Sequence, residues 1–111
     1  MLVAHQQQGC RSLITLPARM DRARAPALRR QLQQFIEQGQ RHLVLDLHQV
    51  QFVDASGLSV LLSAYFALQP HGGRLVLLSP SPLMRTHLVT ARLHRLFAVY
   101  DSAESALAAQ D

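Results

Sequence analysis

Two stretches of this chain, HLVLDL at residues 42–47 and RLVLLS at residues 74–79, are apolar at nearly every position. A strand with one wet face alternates apolar and polar residues, whereas an unbroken apolar run is a strand buried on both faces. Such strands occupy the middle of a parallel sheet, and parallel neighbours need a crossover of a dozen or more residues. Between the two runs lies GLSVLLSAYFALQ (57–69), long enough to make that crossover as a helix. The chain therefore reads as α/β, with right-handed crossovers wherever consecutive strands are parallel.

The remaining segments extend the alternation. Residues 2–7 and 11–16, separated by Gly9, read as two short strands, and Pro17 ends the second. Leu28, Leu32, Phe35 and Ile36 recur at i, i+4, i+7 and i+8, one face of an amphipathic helix. Pro26 fits its first turn and Gly39 lies just past its end. A turn at 48–51 leads to Phe52 and Val53, still extended, and the helix that follows stops at Pro70 and the Gly72-Gly73 pair. SPSP (79–82) is a turn from which Pro82 opens a third helix to about Val89. Residues 96–100 form a last strand, and Asp101 or Ser102 caps a short Ala-rich helix. With no repeat, low-complexity tract or linker, residues 1–111 are expected to form one domain.

Hydrophobic residues make up 49% and charged residues 16%, a globular balance rather than a disordered one. No apolar run approaches the ~20 residues that span a bilayer. The opening MLVAHQQQGCRS lacks the basic and apolar regions of a signal peptide, and a lone Cys10 permits no internal disulfide. The expectation is a cytoplasmic protein without membrane insertion. All eleven basic residues are Arg, and with seven acids the formal net charge is +4. Only Arg19 to Arg30 is a cluster, and no aromatics interleave it for base stacking. It reads as a solvated helix face, with an anionic protein partner or nucleic acid as the lesser alternative; the favoured reading carries no direct nucleic-acid contact. The six histidines show no i, i+4 pair and no Cys partner, so they are expected to scatter over the surface without a metal.

The segment FVDASGLSVLL (52–62) interrupts this pattern, with Asp54 and Ser56 beside Gly57 in an otherwise apolar stretch. The break falls at a strand-to-helix junction, at the carboxyl end of a strand, where ligands and partners meet open α/β sheets. In one reading Ser56 caps the helix and Asp54 is a turn residue. In the other, Ser56 receives phosphate, which places a charge of about −1.5 to −2 on a surface lined by Val53, Ala55, Gly57 and Leu58. Ser56 is not in a Gly-x-Ser-x-Gly elbow and no Walker loop is present, so neither an enzyme nor a cofactor is expected.

The stretch LVLDLHQVQFVDASGLSVLLSAY resembles the STAS domain, shared by sulfate transporters and anti-sigma factor antagonists. The likeness continues through GGRLVLLSPSPLMRTHL, LHRLFAVYDSAESALAA and RMDRARAPALRRQL, nearly the whole chain. It implies a single domain with a mixed, mostly parallel sheet of about five strands and helices mainly on one side. In standalone antagonists the second serine of Asp-Ser-Ser-Gly is phosphorylated by the partner anti-sigma factor, an ATP-using kinase; Ser56 holds that position. Asp54 matches the motif aspartate, and Asp21 matches an aspartate near the phosphorylation site. The resemblance thus implies a phosphorylation-switched module that binds a serine-kinase anti-sigma factor and is reset by a serine phosphatase. Asp21, Asp54, Ala55, Gly57 and Leu58 would form its partner-binding surface.

The same fold also serves as an accessory subunit that binds the ATPase of a lipid-transport complex, without a phosphorylation cycle. Three departures from the family pattern stand out. Ala55 replaces the first serine, Ala18 stands where Gly is usual, and Ala91-Arg92 replaces the Gly of Leu-Thr-Gly-Leu.

Overall fold

The computed structural model describes residues 4–8 and 11–102. In chain order the strands are β1 (Ala4–Gln8), β2 (Arg11–Thr15), β3 (Arg19–Met20), β4 (His42–Asp46), β5 (Phe52–Val53), β6 (Arg74–Leu78) and β7 (Ala98–Tyr100). The helices are α1 (Ala25–Glu37), α2 (Ala55–Leu68) and α3 (Pro82–Thr90). Five strands form one sheet in the order β1-β2-β4-β6-β7, and β3 and β5 form a separate two-stranded ribbon. Only the β1–β2 pair is antiparallel. The sheet is thus mixed and mostly parallel, as the two apolar runs require, and they are its central strands β4 and β6.

Register explains why both faces of those strands are apolar. Ile14, Leu45, Leu77 and Val99 stand in one row, and Leu13, Val44, Val76 and Ala98 stand in the next, on the opposite face. The first face carries the main core. It receives Leu28, Leu32 and Ile36 from α1, Val60, Leu61, Ala64 and Leu68 from α2, and Met84 and Leu88 from α3. Val44, Val76 and Leu78 form a second buried cluster on the other face, which none of the three helices joins. Burial of each large aliphatic side chain contributes about 1.5–3 kcal/mol, so the helix-bearing face holds most of the fold's apolar stabilisation.

Helix boundaries follow from local chemistry. Pro26 stands in the first turn of α1, where its missing N–H would have had no partner. Ser81 caps α3 by accepting the Met84 N–H, and its hydroxyl donates to the Val50 carbonyl at 2.7 Å. Local differences from expectation appear, with one backbone feature at a departure from the family pattern. The last strand begins at Ala98 rather than at residue 96, because Leu93–Arg95 close a 3-10 turn first. His42 is buried at the head of β4, although all six histidines were expected on the surface. Arg92 adopts φ 61° and ψ 20°, the left-handed region that favours the family's glycine. The Ala-rich C-terminal helix expected after Ser102 lies outside the described residues.

Candidate functional site

The small ribbon builds the site. β3 and β5 pair Arg19 with Phe52 and Met20 with Val53, which places two strand-to-helix junctions side by side. One leads through Asp21 into α1, and the other through Asp54 into α2. The Ala18 carbonyl, at the position where the family has Gly, accepts from the Gln51 and Phe52 N–H groups at 2.7 and 3.0 Å. The Arg19 guanidinium lies 4.5 Å from the centre of the Phe52 ring, over its face, and Phe52 is 40% exposed.

Each aspartate closes a helix start. Asp54 is extended, at φ −123° and ψ −174°, and is the N-cap of α2: its Oδ1 accepts the Gly57 N–H at 3.0 Å. Its Oδ2 accepts the Arg22 N–H at 3.1 Å, so one carboxylate ties the entrance of α1 to the first turn of α2. The cap is therefore Asp54 and not Ser56, which corrects the reading of Ser56 as the capping residue. Asp21 accepts the Arg24 N–H at 3.1 Å and takes ion pairs from Arg19 and Arg24 at 3.1 and 3.2 Å. Partial burial pushes the Asp21 carboxyl up. The Arg24 N–H, the Arg19 hydrogen bond and the charges of both arginines outweigh it and hold the group below its ordinary value.

Ser56 is left in the second position of α2, half-buried, and its hydroxyl makes no hydrogen bond among the described residues. Ala55 beside it is exposed and Leu58 is half-buried against the core. Gly57 is buried, and a Cβ there would lie 2.1 Å from the Met20 carbonyl oxygen. Its lack of a side chain lets α2 approach β3. The structure thus gathers all six expected residues at one junction but divides their access. Ala55 and Ser56 face outward at least in part, while Asp21 and Gly57 are buried and act by shaping the junction.

Sequence reading did not single out Met20, Arg22 or the Arg19–Phe52 stack. Two-residue strands carry no periodicity, so the ribbon that positions them left no signal beyond Phe52 and Val53 being extended. Among the described residues no group of three or more His, Cys, Asp or Glu side chains is arranged to hold a metal ion. No described helix is long and apolar enough to cross a membrane.

A mixed sheet with helices on one face and an Asp-Ala-Ser-Gly helix start beside a two-strand ribbon defines a class. The family model of the STAS domain matches residues 1–106, and the chain belongs to that family. Within it, the chain is similar to anti-sigma factor antagonists. It is 29% identical over 96 residues to the anti-sigma F factor antagonist of Paenibacillus polymyxa, covering 86% of this chain and 82% of that protein. It is 32% identical over 87 residues to BtrV of Bordetella bronchiseptica, described as a candidate anti-sigma factor antagonist, covering 78% and 75%. Among solved structures it superposes on the antagonist SpoIIAA in its unphosphorylated form, with TM-score 0.84 and 22% identity over 96% of this chain and 93% of that one. The phosphorylated form of SpoIIAA from Bacillus gives TM-score 0.72 and 25% identity over 94% and 96%.

Proposed function

We propose that this protein is an anti-sigma factor antagonist switched by phosphorylation of Ser56. Unphosphorylated, it binds a serine-kinase anti-sigma factor in the cytoplasm and so frees a sigma factor. The kinase transfers phosphate from ATP to the Ser56 hydroxyl, and a serine phosphatase removes it. The protein has no catalytic residue of its own in this cycle. The observation that carries this reading is the Ser56 hydroxyl itself. It stands in the first turn of α2 with no hydrogen-bond partner among the described residues, because Asp54 already caps the helix. Relatives named as antagonists, one of them solved in a phosphorylated form, support it.

Physically, the switch works by charge at an interface. Ala55, Leu58 and Phe52 offer a partner apolar contact around Ser56, and a phosphate there adds about −1.5 to −2 charge that the partner must desolvate or match. A hundredfold loss of affinity, about 3 kcal/mol, suffices for release.

The test is an affinity capture from the source cell with wild-type, Ser56→Ala and Ser56→Asp baits, followed by mapping of the phosphorylated residue by mass spectrometry. A kinase that binds the first two, is lost from the third and labels Ser56 in the wild type supports the proposal. Equal capture of a transporter ATPase by all three baits, with Ser56 unlabelled, would replace it with the accessory-subunit reading.

A further inference from the structure

We propose that a phosphate on Ser56 is received within the chain by the Arg22 guanidinium. The proposal rests on Ser56 being the modified residue and adds where the new charge goes. Five arginines lie from the ribbon through the first two turns of α1; three of them are engaged, and Arg30 lies eight positions beyond Arg22 in the chain. Arg19 pairs with Asp21 and stacks on Phe52, Arg24 pairs with Asp21, and Arg29 Nε donates to the Ser63 hydroxyl at 3.2 Å. The Arg22 side chain is exposed and has no partner among the described residues; its hydrogen bond is made by its backbone N–H, to Asp54 Oδ2.

That backbone bond is what places it. The Arg22 and Gly57 N–H groups sit on the two oxygens of a single carboxylate, at 3.1 and 3.0 Å, so Arg22 stands one carboxylate away from the residue that follows Ser56. Its long side chain has the reach to cover the first turn of α2. The nearest alternative groups among the described residues are already engaged. Asp54 holds the Gly57 amide that a phosphate at this helix start would otherwise use, and Asp21 holds Arg19 and Arg24.

Charge balance makes the same point. Arg19, Arg22 and Arg24 against Asp21 and Asp54 leave the junction with one excess positive charge. A phosphate of about −2 turns that into about one negative. Pairing with Arg22 therefore removes a cation from the docking surface in the same event that adds an anion. A planar, permanently charged guanidinium is well suited to the role, since it meets phosphate oxygens two at a time.

The experiment uses full-length protein with phosphoserine installed at position 56 during translation, so that no kinase is needed. The second ionisation of the phosphate is followed by phosphorus NMR in wild type, Arg22→Gln and Arg30→Gln. Arg30 is exposed on α1 and serves as the control for general field effects. Asp21, Asp54, Arg19 and Arg24 are unchanged in all three proteins, and the Arg22 backbone N–H that holds Asp54 is retained. The expected result is a second pKa higher by about half a unit in Arg22→Gln than in wild type, with Arg30→Gln matching wild type. Indistinguishable titrations of wild type and Arg22→Gln would overturn the proposal, and so would an equal effect of Arg30→Gln. Failure of the kinase reading alone would leave this titration as predicted.

Discussion

The two ends of the parallel strands each carry a serine, and the two serines are treated in opposite ways. At the amino end, Ser12 on β2 is fully buried and its hydroxyl donates to Gln40 Oε1 at 2.6 Å, with Gln40 itself only 3% exposed. Arg41 closes the same corner by donating to the Ile36 and Gln40 carbonyls at 2.9 Å. At the carboxyl end, Ser56 has neither the burial nor the partner, because a carboxylate two residues earlier took the cap. A hydroxyl whose bonding is complete holds structure together. One left over at a helix start, on a surface already shaped by other groups, is available for chemistry.

The sharpest way to break this comparison is at Gly57. Gly57→Ala drives a methyl group into the Met20 carbonyl and must push α2 off the ribbon. A loss of about 3 kcal/mol is expected in denaturant unfolding, together with loss of partner capture. An unchanged midpoint would show that the junction yields freely and that its geometry does not constrain Ser56.

Next in size is the paired substitution of the two serines. Ser12→Ala removes the hydrogen bond that the buried hydroxyl donates to Gln40 Oε1 and should cost about 2 kcal/mol. Ser56→Ala should stay within about 0.5 kcal/mol of wild type, since no hydrogen bond is lost. Equal losses would end the distinction between a structural and an available hydroxyl.

The smallest effect is read in its pH dependence. The Asp21 carboxyl titrates below its ordinary value in the folded chain, so its ionised form stabilises the fold above the unfolded carboxyl's pKa. That stabilisation disappears as pH falls through the folded value. The stability gap between wild type and Asp21→Asn should hold from neutral pH to about pH 4 and close below it. A gap independent of pH would place the role of Asp21 in its shape rather than its charge.

Much of the fold could be read from the chain because its signals are long. The runs at 42–47 and 74–79 declare buried strands, and the spacing from Leu28 to Ile36 declares the core face of α1. The site was legible as a set of residues but not as an arrangement. Asp54 and Ser56 are both good capping types two positions apart, and what chose between them was the pairing of Val53 with Met20, which holds Asp54 extended. The partners of Asp21 were hidden for a similar reason. A run of arginines reads as a solvated face, and only the ribbon turns Arg19 and Arg24 onto one carboxylate. The buried Ser12–Gln40 pair spans 28 positions and has no local pattern.

The Asp54 carboxylate, which accepts one amide from each of two helix entrances, has a consequence for motion. The Arg22 and Gly57 amides are 35 positions apart in the chain yet are released by the same event, the departure of one side chain. In hydrogen exchange they should therefore behave as a pair, with matching protection in wild type and a joint loss of it when Asp54 is replaced. The entrance to α1 and the turn that carries Ser56 open together or stay closed together. A protein bound at either helix start would then slow amide exchange at the other.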